Sequence, residues 1–135
     1  MAKQSYRDKL AAAPPAAVHV LDEAKALRMK AATMYIPAPA EVADMIVAIP
    51  PGETRTLRDL REEFAAQGLA QTVCPASIAK YWRWLAWASD EDGEAEPSLA
   101  VPWWRVLKDG KPSRHLPGGV DRQTALLRAE GVEVE

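Results

Sequence analysis

Apolar residues recur with helical spacing along much of the chain. The clearest stripe is Val42, Met45, Ile46 and Ile49, at i, i+3, i+4 and i+7 behind Pro39. A proline in a first turn loses no hydrogen bond, because that N–H has no helical acceptor. Pro50-Pro51-Gly52 then ends the helix. Thr56 and Asp59 have the spacing of a capping box, and Leu57, Leu60 and Phe64 form the buried face of a second helix over 56–67 that stops at Gly68. A third helix is predicted over 75–88. It carries two stripes, one of Ile78, Tyr81, Trp82 and Leu85, the other of Lys80, Arg83, Trp84 and Trp87. Two helices in succession with a short glycine-containing connection suit a helix-turn-helix.

The remaining signals are weaker. Val20, Leu21, Ala24, Leu27 and Arg28 give helical spacing over about 20–32, between Pro14-Pro15 and Pro37-Ala38-Pro39. Residues 1–38 therefore read as an N-terminal helical extension packed on a domain spanning 39–135. Asp109-Gly110 lies between the runs 104–108 and 111–115, and Asp-Gly is a hairpin turn because both positions need positive φ. Pro112 confines the return strand to an edge. Following the helix pair, this hairpin would be a wing. A last helix begins after Gly118-Gly119, carries Ala125, Leu126 and Leu127, and stops at Gly131. The expected fold class is mainly α: a winged helix-turn-helix domain with one small β-hairpin and a helical extension.

Charge changes the picture more than size does. The 135 residues suit one domain and carry net charge −2, which argues against a strong non-specific polyanion binder. The acids are unevenly placed, however. Asp90, Glu91, Asp92, Glu94 and Glu96 crowd into 89–98, a stretch expected to be a solvated loop, and the rest of the chain is net positive. Lys80 and Arg83, then Arg105, Lys108, Lys111 and Arg114 against Asp109, give the second half a basic bias. No apolar run approaches the ~18 residues of a membrane span, and residues 1–10 lack the apolar core of a secretory signal. The lone Cys74 forms no internal disulfide. Together these lead to the expectation of a cytoplasmic protein. No metal-ligand spacing involves His19 or His115, so neither metal nor cofactor is expected.

The ordered motifs from Ile49 to Gly131 resemble those of the alkylguanine-DNA alkyltransferases and their alkyltransferase-like relatives. Ile49-Pro50-Pro51-Gly52 stands for their Ile-Pro-x-Gly. A helix-turn-helix follows. Pro102-Trp103-Trp104-Arg105-Val106 stands for the active-site Pro-Cys-His-Arg-Val. After it come the Asp109-Gly110 turn, Gly118-Gly119 and Leu126-Leu127-Arg128-Ala129-Glu130-Gly131. Ile36-Pro37-Ala38-Pro39 further resembles one branch of the family. The resemblance implies double-stranded DNA as partner. It sets Trp103 at the position of the alkyl-accepting cysteine, Trp104 at that of the histidine, and Glu130 at that of the glutamate. An indole N–H only donates, and has neither the nucleophilicity nor the basicity that thiolate chemistry requires. The expectation is a non-enzymatic DNA-binding protein that recognises damaged or alkylated guanine without repairing it, as alkyltransferase-like proteins do.

On that reading Trp103, with Leu57 and Leu116, would line a pocket for a flipped base, and Lys80, Arg83, Lys108, Lys111 and Arg114 would contact DNA. Simpler roles stand beside these. Trp103 or Trp104 would be core. Trp84 and Trp87 would pack against the extension with Lys80 and Arg83 at the rim. Arg105 would hold an ion pair inside the domain. Three departures weaken base flipping: Leu57 replaces the family's nucleotide-turning tyrosine, only Lys80 lies near its arginine finger, and the acidic stretch replaces its asparagine hinge. Two alternatives remain open. One is a protein-interaction or regulatory module that kept the fold and has a protein partner. The other is an enzyme using Cys74, which would otherwise be a half-buried residue at a helix start.

Overall fold

In the computed structural model, residues 5–92 and 101–134 are described. The elements run α1 (Tyr6–Ala12), β1 (Ala17–Val20), α2 (Glu23–Met29), β2 (Thr33–Ile36), α3 (Pro39–Val47), β3 (Arg55–Thr56), α4 (Leu57–Ala65), β4 (Thr72–Val73), α5 (Pro75–Asp92), a 3-10 turn (Trp103–Arg105), β5 (Val106–Leu107) and α6 (Gly119–Ala129). The class is mainly α with a small β-hairpin, as the periodicity predicts.

Helix α5 is the centre of the molecule. Its first stripe, Ile78, Tyr81, Trp82 and Leu85, is buried, and the helix packs against α1, α3, α4 and the 3-10 turn. Val42, Ile46 and Ile49 of the α3 stripe, and Leu60 and Phe64 of α4, complete the core. Full burial of each such side chain contributes about 1.5–3 kcal/mol. The Thr56 capping box forms as its spacing predicts: Thr56 Oγ1 accepts from the Asp59 N–H at 3.0 Å, and Asp59 Oδ2 accepts from the Thr56 N–H at 2.9 Å. Helix α3 has no side-chain cap at Ala38, but the Glu41 carboxylate accepts from the Ala38 N–H at 3.0 Å and from the Tyr35 hydroxyl at 2.8 Å. Burial, and then that carboxylate, push the Tyr35 hydroxyl up to about 12.

The N-terminal segment departs from its predicted form. The helix expected over 20–32 is the shorter α2, and Val20 belongs to strand β1. Neither Val20 (84% exposed) nor Leu27 (75%) forms a buried stripe. Asp22 caps α2 instead, and Lys30 in the left-handed region ends it. Thr33-Met34-Tyr35-Ile36, rich in residues that suit a pleated surface, pairs antiparallel with β1 and parallel with β4. The segment before Pro39 thus shares a sheet with the connection between α4 and α5, and Tyr35 enters the common core. That connection, 66–74, is longer than a simple helix-turn-helix turn because it contains β4.

Two boundaries also move. Helix α5 continues through Asp92 rather than stopping at Ala88, and Asp90 pairs with Arg122 at 2.7 Å. The remainder of the expected acidic loop, 93–98, lies outside the described residues. The hairpin is smaller than the flanking runs suggest. Asp109 (φ 53) and Gly110 (φ 77) make the turn, but only Lys108 and Lys111 bridge across it. The incoming strand β5 pairs with β3 instead, Pro112 offers no N–H, and the Ser113 N–H is taken by the Gln123 side chain. Gly118 precedes α6 at φ 77, where an added Cβ would lie 2.4 Å from the Arg122 side chain. Among the described residues, no helix is long and apolar enough to cross a membrane.

Candidate nucleic-acid interface

An open groove of about 550 Å³ lies where α4 and α5 begin and the Asp109-Gly110 turn approaches them. Its walls are Thr56, Leu57, Arg58 and Arg61 from the first helix, Pro75, Ala76 and Ala79 from the second, and Lys108 and Asp109 from the turn. The sequence dictates this opening. Ala76 and Ala79 are small, so the surface of α5 is recessed there, while the larger Ile78, Tyr81 and Trp82 turn inward. Two helix N-termini meet at the groove, and their dipoles favour an anion, although Thr56 Oγ1 already accepts from the Asp59 N–H and Asp109 adds a carboxylate to the wall. Arg61 and Lys108 add charge and form no ion pair among the described residues. Arg58 shares its charge with exposed Glu62 at 3.1 Å, a pairing of small energetic weight.

The segment bearing the Pro-Trp-Trp-Arg-Val motif is built in the opposite way. Trp103 starts a 3-10 turn, not a strand, and is 3% exposed in the core. Its carbonyl accepts from Trp82 Nε1 at 3.0 Å, and its ring meets that of Trp104 edge-on at 5.8 Å. Arg105 donates to both oxygens of Glu130, at 3.0 Å from Nε and 2.6 Å from Nη2, and to the Ile49 carbonyl at 2.8 Å. These side chains are only 12% and 16% exposed. The Arg105 hydrogen bonds hold the Glu130 carboxyl below its usual range against the opposing effect of burial; Trp104 and the Gly52 backbone assist. The Trp104 N–H is buried and has no partner in hydrogen-bonding geometry among the described residues, so its help to Glu130 is secondary. Gln123, fully buried on α6, ties the segment down. Its Nε2 donates to the Val106 and Trp104 carbonyls at 2.8 and 3.2 Å, and its Oε1 accepts from the Ser113 N–H at 2.8 Å.

Residues 37–132 match the family model of the 6-O-methylguanine DNA methyltransferase DNA-binding domain. The chain belongs to this methyltransferase family. The match supports DNA binding, and it begins after α1, β1, α2 and β2, which lie outside it. No curated protein matches the sequence.

Set in the methyltransferase family, the predicted site residues divide. Of the three assigned to a base pocket, only Leu57 lines the groove; Trp103 and Leu116 lie in the core and share no opening with it. Lys108 lines the groove, and Lys111 is exposed across the turn from it. Lys80 and Arg83 face the α1 side of α5, and Arg114 is exposed beyond the turn. Trp84 and Trp87 take the simpler role: Tyr6 of α1 stacks on Trp87 at 5.9 Å, and Trp87 Nε1 donates to the His115 carbonyl at 2.9 Å. Cys74 is half-buried at the start of α5, where Ser77 Oγ donates to its sulfur at 3.3 Å. Sequence reasoning missed Arg58 and Arg61. Their signal was present, since both stand on the polar side of an amphipathic helix within its first turns, but that face reads as ordinary solvated surface.

Proposed function

We propose that this protein binds duplex DNA with the groove at the start of α4 and α5, recognises alkylated guanine there, and transfers no alkyl group. The observation that carries the reading is the groove itself. It joins small, apolar walls to two helix N-termini and the cations Arg58, Arg61 and Lys108. Phosphates fit the helix ends and cations, and the Ala76–Ala79 face lets a duplex groove approach α5 closely. On this reading the Asp109-Gly110 turn is a wing set against the backbone.

The absence of transfer chemistry is supported by the side chains of the motif segment. Trp103 offers an indole where the family's motif has its acceptor, and Glu130 is committed to Arg105 with a depressed pKa, a poor base for activating anything. A volume of about 550 Å³ would admit a nucleobase, with Leu57 as its apolar wall. The test is an anisotropy titration of duplexes with and without one O6-methylguanine, over a range of salt. Binding to both, tighter to the alkylated duplex and weakening with salt, is expected. Equal affinity for the two would remove lesion recognition, and a flat salt response would remove DNA binding.

One observation favours a second reading, a protein partner. Val18, Val20 and Leu27 are each exposed on the N-terminal segment, outside the family match. Self-association or partner capture abolished by Val20→Asp, with no response to DNA, would favour it over the first.

A further inference from the structure

Helix α1 packs along α5 with its apolar side, through Leu10 and Ala13 against the core and Tyr6 against Trp87. Its Lys9 then arrives beside Lys80 of α5. The Lys9 ammonium lies 4.6 Å from the Tyr6 ring centre and 6.0 Å from that of Trp84. That of Lys80 lies 5.1 Å from Tyr81 and 5.2 Å from the same Trp84. Two adjoining hollows share Lys9 and Trp84. One is walled also by Ala12, Ala13, Pro14, Lys80 and Tyr81; the other by Tyr6, Arg83, Trp87 and His115. Among the described residues, neither is lined by a carboxylate. Asp8, the acid of α1, lines neither, and Asp90 further along α5 is paired with Arg122. Among the described residues Lys9, Lys80 and Arg83 form no ion pair.

Gathering like charges around one indole opposes folding unless something offsets it. Aromatic faces attract each ammonium but do not cancel their mutual repulsion; an anion does. In a chain of net charge −2, three cations collected on one seam, with no acid among the described residues that line it, is a placement against the average. Ala76 and Ala79 of the groove and Lys80 and Arg83 of the seam recur at i, i+3, i+4 and i+7 along α5, so the two openings, which share no lining residue, lie on one side of that helix.

We propose that the α1–α5 seam is a phosphate-binding strip, in which Lys9, Lys80 and Arg83 hold the DNA backbone, so that the N-terminal helix forms part of the nucleic-acid interface. The proposal rests on the DNA-binding reading above and adds to it a role for a helix outside the family match. The aromatic rings position the ammonium groups, and the phosphates of the strand leaving the groove supply the missing counter-charge.

The test is an anisotropy titration of a plain labelled duplex at several salt concentrations, with circular dichroism to check folding. Lys9→Gln is expected to weaken binding about fivefold and to reduce the slope of log Kd against log salt by about 0.9, the signature of one lost phosphate contact. Lys9→Arg should keep both at wild-type values. The proposal is overturned if Lys9→Gln binds with unchanged affinity and slope while Arg61→Glu with Lys108→Glu loses binding; the groove reading then survives alone. A loss of affinity with an unchanged slope, or an equal loss in Lys9→Arg, would mark Lys9 as merely structural and also overturns it. No binding by the wild type removes both readings together.

Discussion

The motif segment and the groove lie a few residues apart in sequence, with Val106 and Lys108 on either side of the divide, yet they are opposites in physical character. In the segment from Trp103 to Val106 almost every polar group is satisfied internally. Arg105 is held by Glu130 and the backbone carbonyls by Trp82 and Gln123, while the ring of Trp103 is buried in the core and the Trp104 N–H stays without a partner among the described residues. In the groove Arg61 and Lys108 form no ion pair among the described residues, although the start of α4 is already capped by Thr56. On the proposed reading, the motif segment serves as scaffold rather than as a reactive site. What remains available for binding is the surface the scaffold leaves unsatisfied.

The contrast can be broken first at Trp103. Trp103→Cys puts a sulfur at the motif position but empties a core site, and should lower unfolding stability by about 3–5 kcal/mol. It should gain no alkyl transfer, since no histidine adjoins it and Glu130 is engaged by Arg105. Denaturant melts and the intact mass after incubation with O6-methylguanine duplex give both answers; an alkylated protein would refute the scaffold view. Glu130→Gln should cost about 3 kcal/mol by leaving the Arg105 charge half-paired in a nearly closed site. The same pair predicts pH dependence. The Glu130 pKa is depressed on folding, so its contribution is complete above the ordinary carboxylate range and is lost as pH falls through the lower folded value. Wild type should therefore lose stability on acidification over a range where Glu130→Gln loses less.

Gln123→Leu should cost about 2 kcal/mol, because the Ser113 N–H and the Trp104 and Val106 carbonyls lose their buried partner. The melting temperature would show this, and the folded fraction should bind DNA as wild type does. The smallest effect on stability belongs to the groove: Arg61→Glu with Lys108→Glu should leave the melt unchanged while weakening duplex binding at least about tenfold, an effect of roughly 1.4 kcal/mol. A large stability loss there would blur the division drawn between the two regions.

Helices with complete apolar stripes were legible from sequence, since 3.6-residue periodicity survives without tertiary information; α3, α4, α5 and α6 all exist and begin where their stripes and caps place them, although α5 runs on past its predicted end to Asp92. The N-terminal segment was not. Val20 and Leu27 share a helical spacing but are exposed, and β2 is stabilised by β4, nearly forty residues away, through a pairing that no local pattern encodes. The motif tryptophans were half legible. Trp103 follows the family's order, but its burial depends on Trp82 and on a 3-10 turn in place of a strand. Leu57, Leu116 and Trp103 were grouped only by the resemblance, and of the three only Leu57, which follows the Thr56 cap at the start of α4, lines the opening. Arg61 escaped notice because a cation on a polar face acquires meaning only when α5 and the turn are brought opposite it.

The most direct test of the division is to titrate isotope-labelled protein with a duplex and follow every backbone amide by NMR. The account predicts shifts concentrated in 56–61, 75–83 and 107–111, and around Lys9, with the amides of 103–106 and 123–130 moving little. Shifts centred on 103–106, or confined to the exposed apolar residues of 17–29, would contradict it.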